Sequence, residues 1–210
     1  NLAYLQGDHG QARHLYQESL RIKEELGDRA GVATTLHQLG MLAQDTGDYG
    51  QARQFYERAA ETFRNLGARR EQAAVLHNLG ALAQDTGDYG QARQFYQESL
   101  RISEELGDRA GVASLLHNLG SVLQALGDLA GAKACYERAL GIWERALGPE
   151  HPHVAIAVNN LGSVLQALGD LARAKACYER TLRILRSRLP PDHPYIRIVE
   201  ENLQRVALHE

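Results

Sequence analysis

The sequence is sparing with the residues that would mark several classes of function. Lysine and arginine number 23 against 26 aspartates and glutamates, a net charge of −3, so nothing favours nucleic acid or an anionic membrane as partner. There are two cysteines, Cys135 and Cys177, too few for a disulfide framework. No apolar run is long enough to cross a bilayer. The opening residues, NLAYLQGDHG, lack the charged and apolar regions of a secretory signal. They also lack an initiator methionine, which leads us to expect a piece of a longer chain. No G-x-x-x-x-G-K phosphate loop occurs, and no nucleophile elbow or carboxylate pair stands out. Catalysis, cofactors and bound metals are therefore not expected.

What is present is repetition. Residues 84–96 are identical to residues 44–56, and looser copies occupy 6–16, 124–136 and 166–178. Glycine–aspartate pairs mark the period at Gly7-Asp8, Gly47-Asp48, Gly87-Asp88, Gly127-Asp128 and Gly169-Asp170, spaced by 40, 40, 40 and 42 residues. Self-similarity of this kind specifies a stacked array in which each unit touches mainly its neighbours. Glycine can take the left-handed conformation that ends a helix, and aspartate can cap the next. Read this way, residues 1–6 are the tail of a helix and 9–26 are its partner. Helix pairs then occupy 29–46 and 49–66, 69–86 and 89–106, 109–126 and 129–147, and 152–168 and 171–189. Pro152 suits a first helical turn, and Pro190-Pro191 stops the last pair. A final helix over 193–208 places Gln204 where Gly162 stood and adds Glu200, Glu201 and Arg205, as a solvated cap should.

The repeats are 1–28 (partial), 29–68, 69–108, 109–150 and 151–191, with the cap at 192–210, forming one elongated domain over 1–210. In the first helix of the second full repeat, Ala73, Leu76, Leu79, Gly80 and Ala83 share one face that must be buried. Tyr89, Ala92, Tyr96, Ser99 and Leu100 answer from the second helix. Gly80 and Ala92 are small where the two backbones should come close, and Tyr96 fills the space beside them. Cys135 and Cys177 hold equivalent slots in successive repeats, filled earlier by Leu15, Phe55 and Phe95. Helices stacked roughly 8–10 Å apart place them beyond disulfide reach. They read as core residues in a reducing compartment, the cytoplasm.

The Leu-Gly step, the alanine and the aromatic four residues after it recur as Leu39-Gly40, Ala52, Tyr56; Leu79-Gly80, Ala92, Tyr96; Leu119-Gly120, Ala132, Tyr136; and Leu161-Gly162, Ala174, Tyr178. This set resembles the tetratricopeptide repeat signature. The period of 40–42 residues exceeds the usual 34, and the tryptophan and closing proline of the best-known pattern are absent. The 40-residue units resemble those of mitotic-spindle adaptors and bacterial signalling ATPases. The stretch 148–155 with Asn159-Asn160-Leu161-Gly162 is similar to kinesin light chain repeats. The resemblance implies an all-α, right-handed superhelical solenoid of antiparallel helix pairs. It also implies a groove lined by the first helix of each pair, which binds an extended or helical peptide.

Burial leaves one face of each first helix unused. Down the stack it presents Gln38, Asn78, Asn118, Asn160 and Asn202; His37, His77, His117 and Asn159; and Gln44, Gln84, Gln124 and Gln166, with Met41, Ala81, Ser121 and Ser163 read as the small residues between them. Carboxamides both donate and accept hydrogen bonds, so a column of them could bracket a peptide strand. Equally, they could bond neighbouring helices, and duplicated repeats share residues whether useful or not. Histidines one repeat apart cannot share a metal whose ligand bonds are near 2 Å. They are expected to be exposed or in contact with peptide, with groove affinity changing between pH ~5.5 and ~7.5. Asp45 and Asp85 give way to Ala125 and Ala167, which suits a ligand with its basic end towards the first repeats. The column Arg13, Arg53, Arg93, Lys133 and Lys175 reads as a solvated face paired with acids.

Three functions remain open. The first is a protein- or peptide-binding scaffold, the sensor or adaptor part of a larger signalling protein. The second is an architectural spacer, self-associating through its truncated first repeat. The third, an RNA-reading helical repeat, is disfavoured by the absence of a basic groove.

Overall fold

The joints between helices carry the repeat into three dimensions. The computed structural model describes residues 8–208, so the helical tail expected over residues 1–6 lies outside the described residues. Among the described residues there are ten helices and no strand: α1 (His9–Glu25), α2 (Arg29–Asp45), α3 (Tyr49–Leu66), α4 (Arg69–Asp85), α5 (Tyr89–Glu105), α6 (Arg109–Ala125), α7 (Leu129–Leu147), α8 (Pro152–Ala167), α9 (Leu171–Arg186) and α10 (Pro194–Ala207). At each repeat joint a glycine sits at positive φ, as at Gly47 (φ 78°) and Gly87 (φ 79°). The aspartate that follows serves two helices. The Asp48 N–H donates to the Ala43 carbonyl at 2.8 Å, closing α2. Its carboxylate accepts from the Gln51 N–H at 3.1 Å, opening α3.

Three joints depart from this rule. Ala68 still closes α3 through its N–H to Phe63, but it offers α4 no side-chain cap. At α8 and α10 the cap is a histidine. Nδ1 of His151 accepts the His153 N–H and Nδ1 of His193 accepts the Tyr195 N–H, each at 3.2 Å, with Pro152 and Pro194 in the first turn. Helix α9 ends at Arg186, three residues short of the 189 expected. Ser187 Oγ and the Arg188 and Leu189 N–H groups bond back to Ile184 and Leu185, closing the helix before the proline pair is reached.

The chain folds as two compact units, Asn1–Gly107 and Asp108–Glu210. In the first, α2 pairs with α3 and α4 with α5, while α1 packs on α2, α3 on α4, and α2 touches α4. In the second, α6 pairs with α7 and α8 with α9, and α10 packs on α9 and α8. Each unit is thus a short stack of helix pairs, in which connections of two to four residues force antiparallel neighbours and a longer one of seven leads to α10.

The first helix of a pair is buried on two adjoining faces. In α4, Ala73, Leu76, Gly80 and Ala83 are buried, and so are Val75, Leu79 and Leu82. The glycine step works differently from the expected backbone approach. A Cβ on Gly80 would lie 2.6 Å from the Tyr96 ring, and one on Gly40 2.5 Å from the Tyr56 ring. The tyrosine, not the alanine, needs the space. Tyr89 is only half-buried and Tyr49 is 43% exposed; they sit at helix starts, away from the pair interface.

Helix α10 shows how the second unit is finished. The α8 residues facing α9 (Ala155, Val158, Gly162, Leu165) have as counterparts Arg197, Glu200, Gln204 and Ala207, and none of these is buried. The neighbouring face keeps its apolar character through Ile196, Val199 and Val206, all buried. Glu200 turns outward to pair with Arg186 at 2.7 Å. The face of α10 that corresponds to the α9-facing side of α8 is thus polar and not buried.

Candidate functional site: a carboxamide-lined helix face

The residues left over by packing lie on one side of α2 and α4 in the first unit, and of α6, α8 and α10 in the second. All twelve sequence-derived candidates are half-buried. They sit beneath the surface of the face rather than projecting freely from it.

The glutamines have an internal duty that the sequence reading missed. Tyr56, Tyr96, Tyr136 and Tyr178 are each 1% exposed. A hydroxyl buried to that degree needs a partner. Each donates to the glutamine twelve residues earlier: Tyr56 to Gln44 at 3.0 Å, Tyr96 to Gln84 at 3.2 Å, Tyr136 to Gln124 at 3.5 Å and Tyr178 to Gln166 at 2.9 Å. With their oxygens anchored, two of the amides turn their N–H2 towards the neighbouring repeat. Gln44 Nε2 donates to Asp85 at 3.0 Å and Gln124 Nε2 to Ser163 Oγ at 3.1 Å. Burial raises the pKa values of Tyr96, Tyr136 and Tyr178, that of Tyr136 to about 12. The fixed twelve-residue Gln-to-Tyr spacing in every repeat was the available signal.

The histidines are not solvent-exposed. His37, His77 and His117 pack against Tyr56, Tyr96 and Tyr136 with ring centroids 5.8, 5.8 and 5.6 Å apart. Burial lowers the pKa of all three, and for His117 the charge of His153 adds to the effect. Asn78 Nδ2 lies 2.7 Å from His37 Nε2. An amide N–H2 only donates, so Nε2 of His37 accepts and must be unprotonated. This contact joins neighbouring repeats, the internal use of carboxamides weighed above. Gln38 is half-buried in the same face.

The second unit brings more of the candidates together. Gln124, Asn159 and Asn160 line a cavity of 510 Å³ with Ser121, Ala125, Tyr136, Ser163 and Asn202. Asn159 Nδ2 donates to Asn160 Oδ1 at 3.3 Å. Asn159 Oδ1 and His117 Nδ1 are buried and make no hydrogen bond. Behind His117 the side chains form an aromatic chain: Trp143 at 5.6 Å, His153 stacked on Trp143 at 5.2 Å, and His151 at 5.1 Å from His153. Gln166 meets Tyr178 rather than this cavity, and Asn118 lies on the same face of α6.

The sequence matches the tetratricopeptide repeat profile over residues 1–65, 31–105, 71–139 and 111–187. The chain belongs to the tetratricopeptide repeat family. As such it is a protein–protein interaction scaffold, of a fold that is generally non-catalytic. Solved structures share the fold of this tetratricopeptide array. BtubC (BKLC) from P. vanneervenii aligns over 95% of this chain and 83% of its own, with 23% identity and a TM-score of 0.80. A kinesin light chain-type protein of Podosopora anserina with nearly identical TPR-like repeats aligns over 83% and 85%, with 21% identity and a TM-score of 0.70. The apo form of RapI covers 99% of this chain and 60% of its own, with 15% identity and a TM-score of 0.85. No curated protein matches the sequence significantly.

On the second helices Arg53 and Lys133, two members of the basic column, stand beside acids. Arg53 meets Glu57 at 2.9 Å, and Glu137 accepts both Lys133 at 3.9 Å and Arg173 at 3.4 Å. Cys135 and Cys177 are free, half-buried thiols whose pKa values burial raises. Among the described residues, no cluster of three histidine, cysteine or acidic side chains could hold a metal ion. No described helix is long and apolar enough to cross a membrane.

Proposed function

We propose that the carboxamide-lined face is a docking groove for an extended or helical peptide, and that the array is the sensor or adaptor part of a larger cytoplasmic signalling protein. One observation carries this reading. In the second unit the face opens into a 510 Å³ cavity lined by Gln124, Asn159, Asn160 and Asn202, where the buried Asn159 Oδ1 accepts no hydrogen bond within the chain. A buried carbonyl oxygen without a donor costs about 1–3 kcal/mol. Asn159 lines the cavity, so turning its amide would offer that oxygen to a peptide N–H laid across it. Asn160 and Asn202, which line the same cavity, would engage further peptide groups, and the small Ser121, Ala125 and Ser163 would leave room for a backbone.

The first unit contributes differently. Asp85 stands beside Gln44 on the same face, which suits a ligand segment carrying basic side chains there. Because Asn78 and Gln44 already bond to His37 and Asp85, ligand binding in this unit would exchange those bonds for new ones.

A display library of random peptides panned against the intact chain, and against a variant carrying Asn159→Ala and Asn160→Ala, tests the proposal. Peptides retained by the chain and lost by the variant are expected. Equal retention by both would sink the groove as the site. Binding of RNA oligonucleotides with a steep salt dependence would instead restore the nucleic-acid reading.

A further inference from the structure

Three positions of the first unit break the repeat, and they break it in one place. Ala60 on α3 stands where other repeats have Leu20, Leu100, Leu140 and Leu182. Gln72 on α4 stands where they have Val32, Val112 and Val154. Glu61 on α3 stands where Arg21, Arg101 and Arg183 occur, with Gly141 in the remaining repeat. All three line a cavity of 320 Å³ between α3 and α5, floored by Leu76 and Leu79 of α4 and walled by Phe95. Gln72, Leu76 and Leu79 recur at the helical period on the side of α4 away from His77, Asn78 and Ala81, so this cavity is separate from the carboxamide face. An alanine in a leucine slot leaves space that its neighbours fill only in part. Gln72 is 3% exposed, and its oxygen accepts from Arg69 at 3.2 Å. Its amide N–H2 has no acceptor among the described residues, although buried polar groups are ordinarily bonded. The rim is acidic: Glu57, Glu61 and Glu98 line it with Arg64 as the one cation. Arg53 holds Glu57 at 2.9 Å, but Arg64 meets Glu61 only at 3.9 Å. Glu98 is exposed and has no partner among the described residues.

These features narrow the occupant by chemistry. The space takes an apolar body, the Phe95 ring favours an aromatic one, and the Gln72 N–H2 requires an accepting oxygen. A carboxylate would be repelled by the rim. Tryptophan only donates, and serine and threonine carry the oxygen without the body. Tyrosine supplies both, and basic neighbours beside it would meet Glu61 and Glu98. We propose that this cavity receives a tyrosine side chain of a partner protein, flanked by lysine or arginine, with the hydroxyl oxygen accepting from Gln72 Nε2. It is a docking site of the first unit, independent of the carboxamide face.

The test pans peptides against the immobilised intact chain. Each has a central tyrosine or phenylalanine, flanked by lysines or by glutamates, with the other positions randomised. Tyrosine peptides with lysine flanks should be retained best, by about fivefold over those with glutamate flanks, the scale of a solvent-facing ion pair. That margin should shrink with added salt. Gln72→Val, which restores the residue of the other repeats, should erase the preference for tyrosine over phenylalanine and leave the preference for lysine. Glu61→Arg combined with Glu98→Gln should do the reverse. Ala60→Leu should fill the space and end retention of both aromatic sets. Unfolding in urea shows that each variant keeps its fold, and should Ala60→Leu lower the midpoint, the other two variants decide. A tyrosine preference that persists in Gln72→Val overturns the role of Gln72. Retention that is unchanged by Ala60→Leu, or that is lost in the Asn159→Ala and Asn160→Ala variant, overturns the site. An intact chain that prefers neither tyrosine nor lysine overturns the proposed occupant.

Discussion

The two units are built to one plan and differ in what their exposed helix faces leave open. In the first, Asn78 reaches back to His37 and Gln44 reaches Asp85, so polar groups of one repeat satisfy those of the next. In the second, alanine stands at 125 and 167 where aspartate stood at 45 and 85. There Gln124 turns to Ser163 instead, and the face opens into a cavity with a carbonyl oxygen left unmet. The constant part, a glycine under a tyrosine ring with the hydroxyl on a glutamine, is architecture. The variable part, two or three slots per repeat, sets whether the face closes on itself or remains available. Substitutions in the constant part should therefore act alike in both units, and substitutions in the variable part should not.

The largest effect tests the constant part. Tyr96→Ala and Tyr136→Ala should each cost about 3–5 kcal/mol, as for other large core residues, measured by urea unfolding. A loss at one site only would mean that the units do not share a keystone. The milder Tyr96→Phe should cost about 1 kcal/mol, because it strands the Gln84 oxygen that accepts from the hydroxyl. Next come the glycines. Gly80→Ala places a Cβ 2.6 Å from the Tyr96 ring, whereas at Gly162 the nearest Tyr178 atom is 3.0 Å away. Overpacking of this kind costs about 1–3 kcal/mol, so Gly80→Ala should fall near the top of that range and Gly162→Ala near the bottom. The reverse order would show that the ring in the first unit moves aside more readily than its packing suggests.

Much of the fold was legible because period and punctuation coincide. The glycine–aspartate pairs located the joints, and helix ends followed to within a residue nearly everywhere. The exception was α9, where the expected stop at Pro190 was pre-empted by the Ser187 and Leu189 bonds. The unused face was also legible, since it is what remains after Leu76, Gly80 and Ala83 are assigned to the core. The partners of the candidate side chains were not. Whether Asn78 points at a ligand or at His37 depends on the offset between neighbouring repeats, which the period alone does not determine. The glutamine-to-tyrosine bonds were written in the constant twelve-residue spacing. They were obscured because a buried tyrosine reads first as volume and only then as a hydroxyl needing an acceptor.

A smaller effect probes the joint where the first unit breaks its own rule. Ala68 stands where aspartate caps α2 and α6, and α4 begins without a side-chain acceptor. Ala68→Asp should restore the cap and add about 1 kcal/mol, read as a higher urea midpoint at unchanged slope. The reciprocal Asp108→Ala should remove a similar amount from the second unit. An unchanged midpoint for Ala68→Asp would indicate that Arg69, which bonds Gln72 and Glu105, already secures this helix start.

The smallest effect is a pH drift. Burial lowers the pKa of His37, His77 and His117 below the ordinary histidine value, so the folded chain resists a proton that the unfolded chain accepts. Their contribution to stability is then complete above about pH 6.5, where the unfolded histidines titrate. It is lost as pH falls from there towards the lower folded values, because the unfolded state binds more protons in that window. His37 adds a geometric reason: protonating Nε2 would remove the acceptor that Asn78 uses. Melting temperature should therefore decline between pH 7.5 and pH 5. His37→Gln and His77→Gln should flatten the part of the slope that belongs to the first unit. In the second, His153 opposes protonation of His117 through its own charge, so His153→Gln should ease the decline there. A melting temperature that holds steady or rises on acidification would separate the histidines from stability and leave them only their packing against the tyrosines.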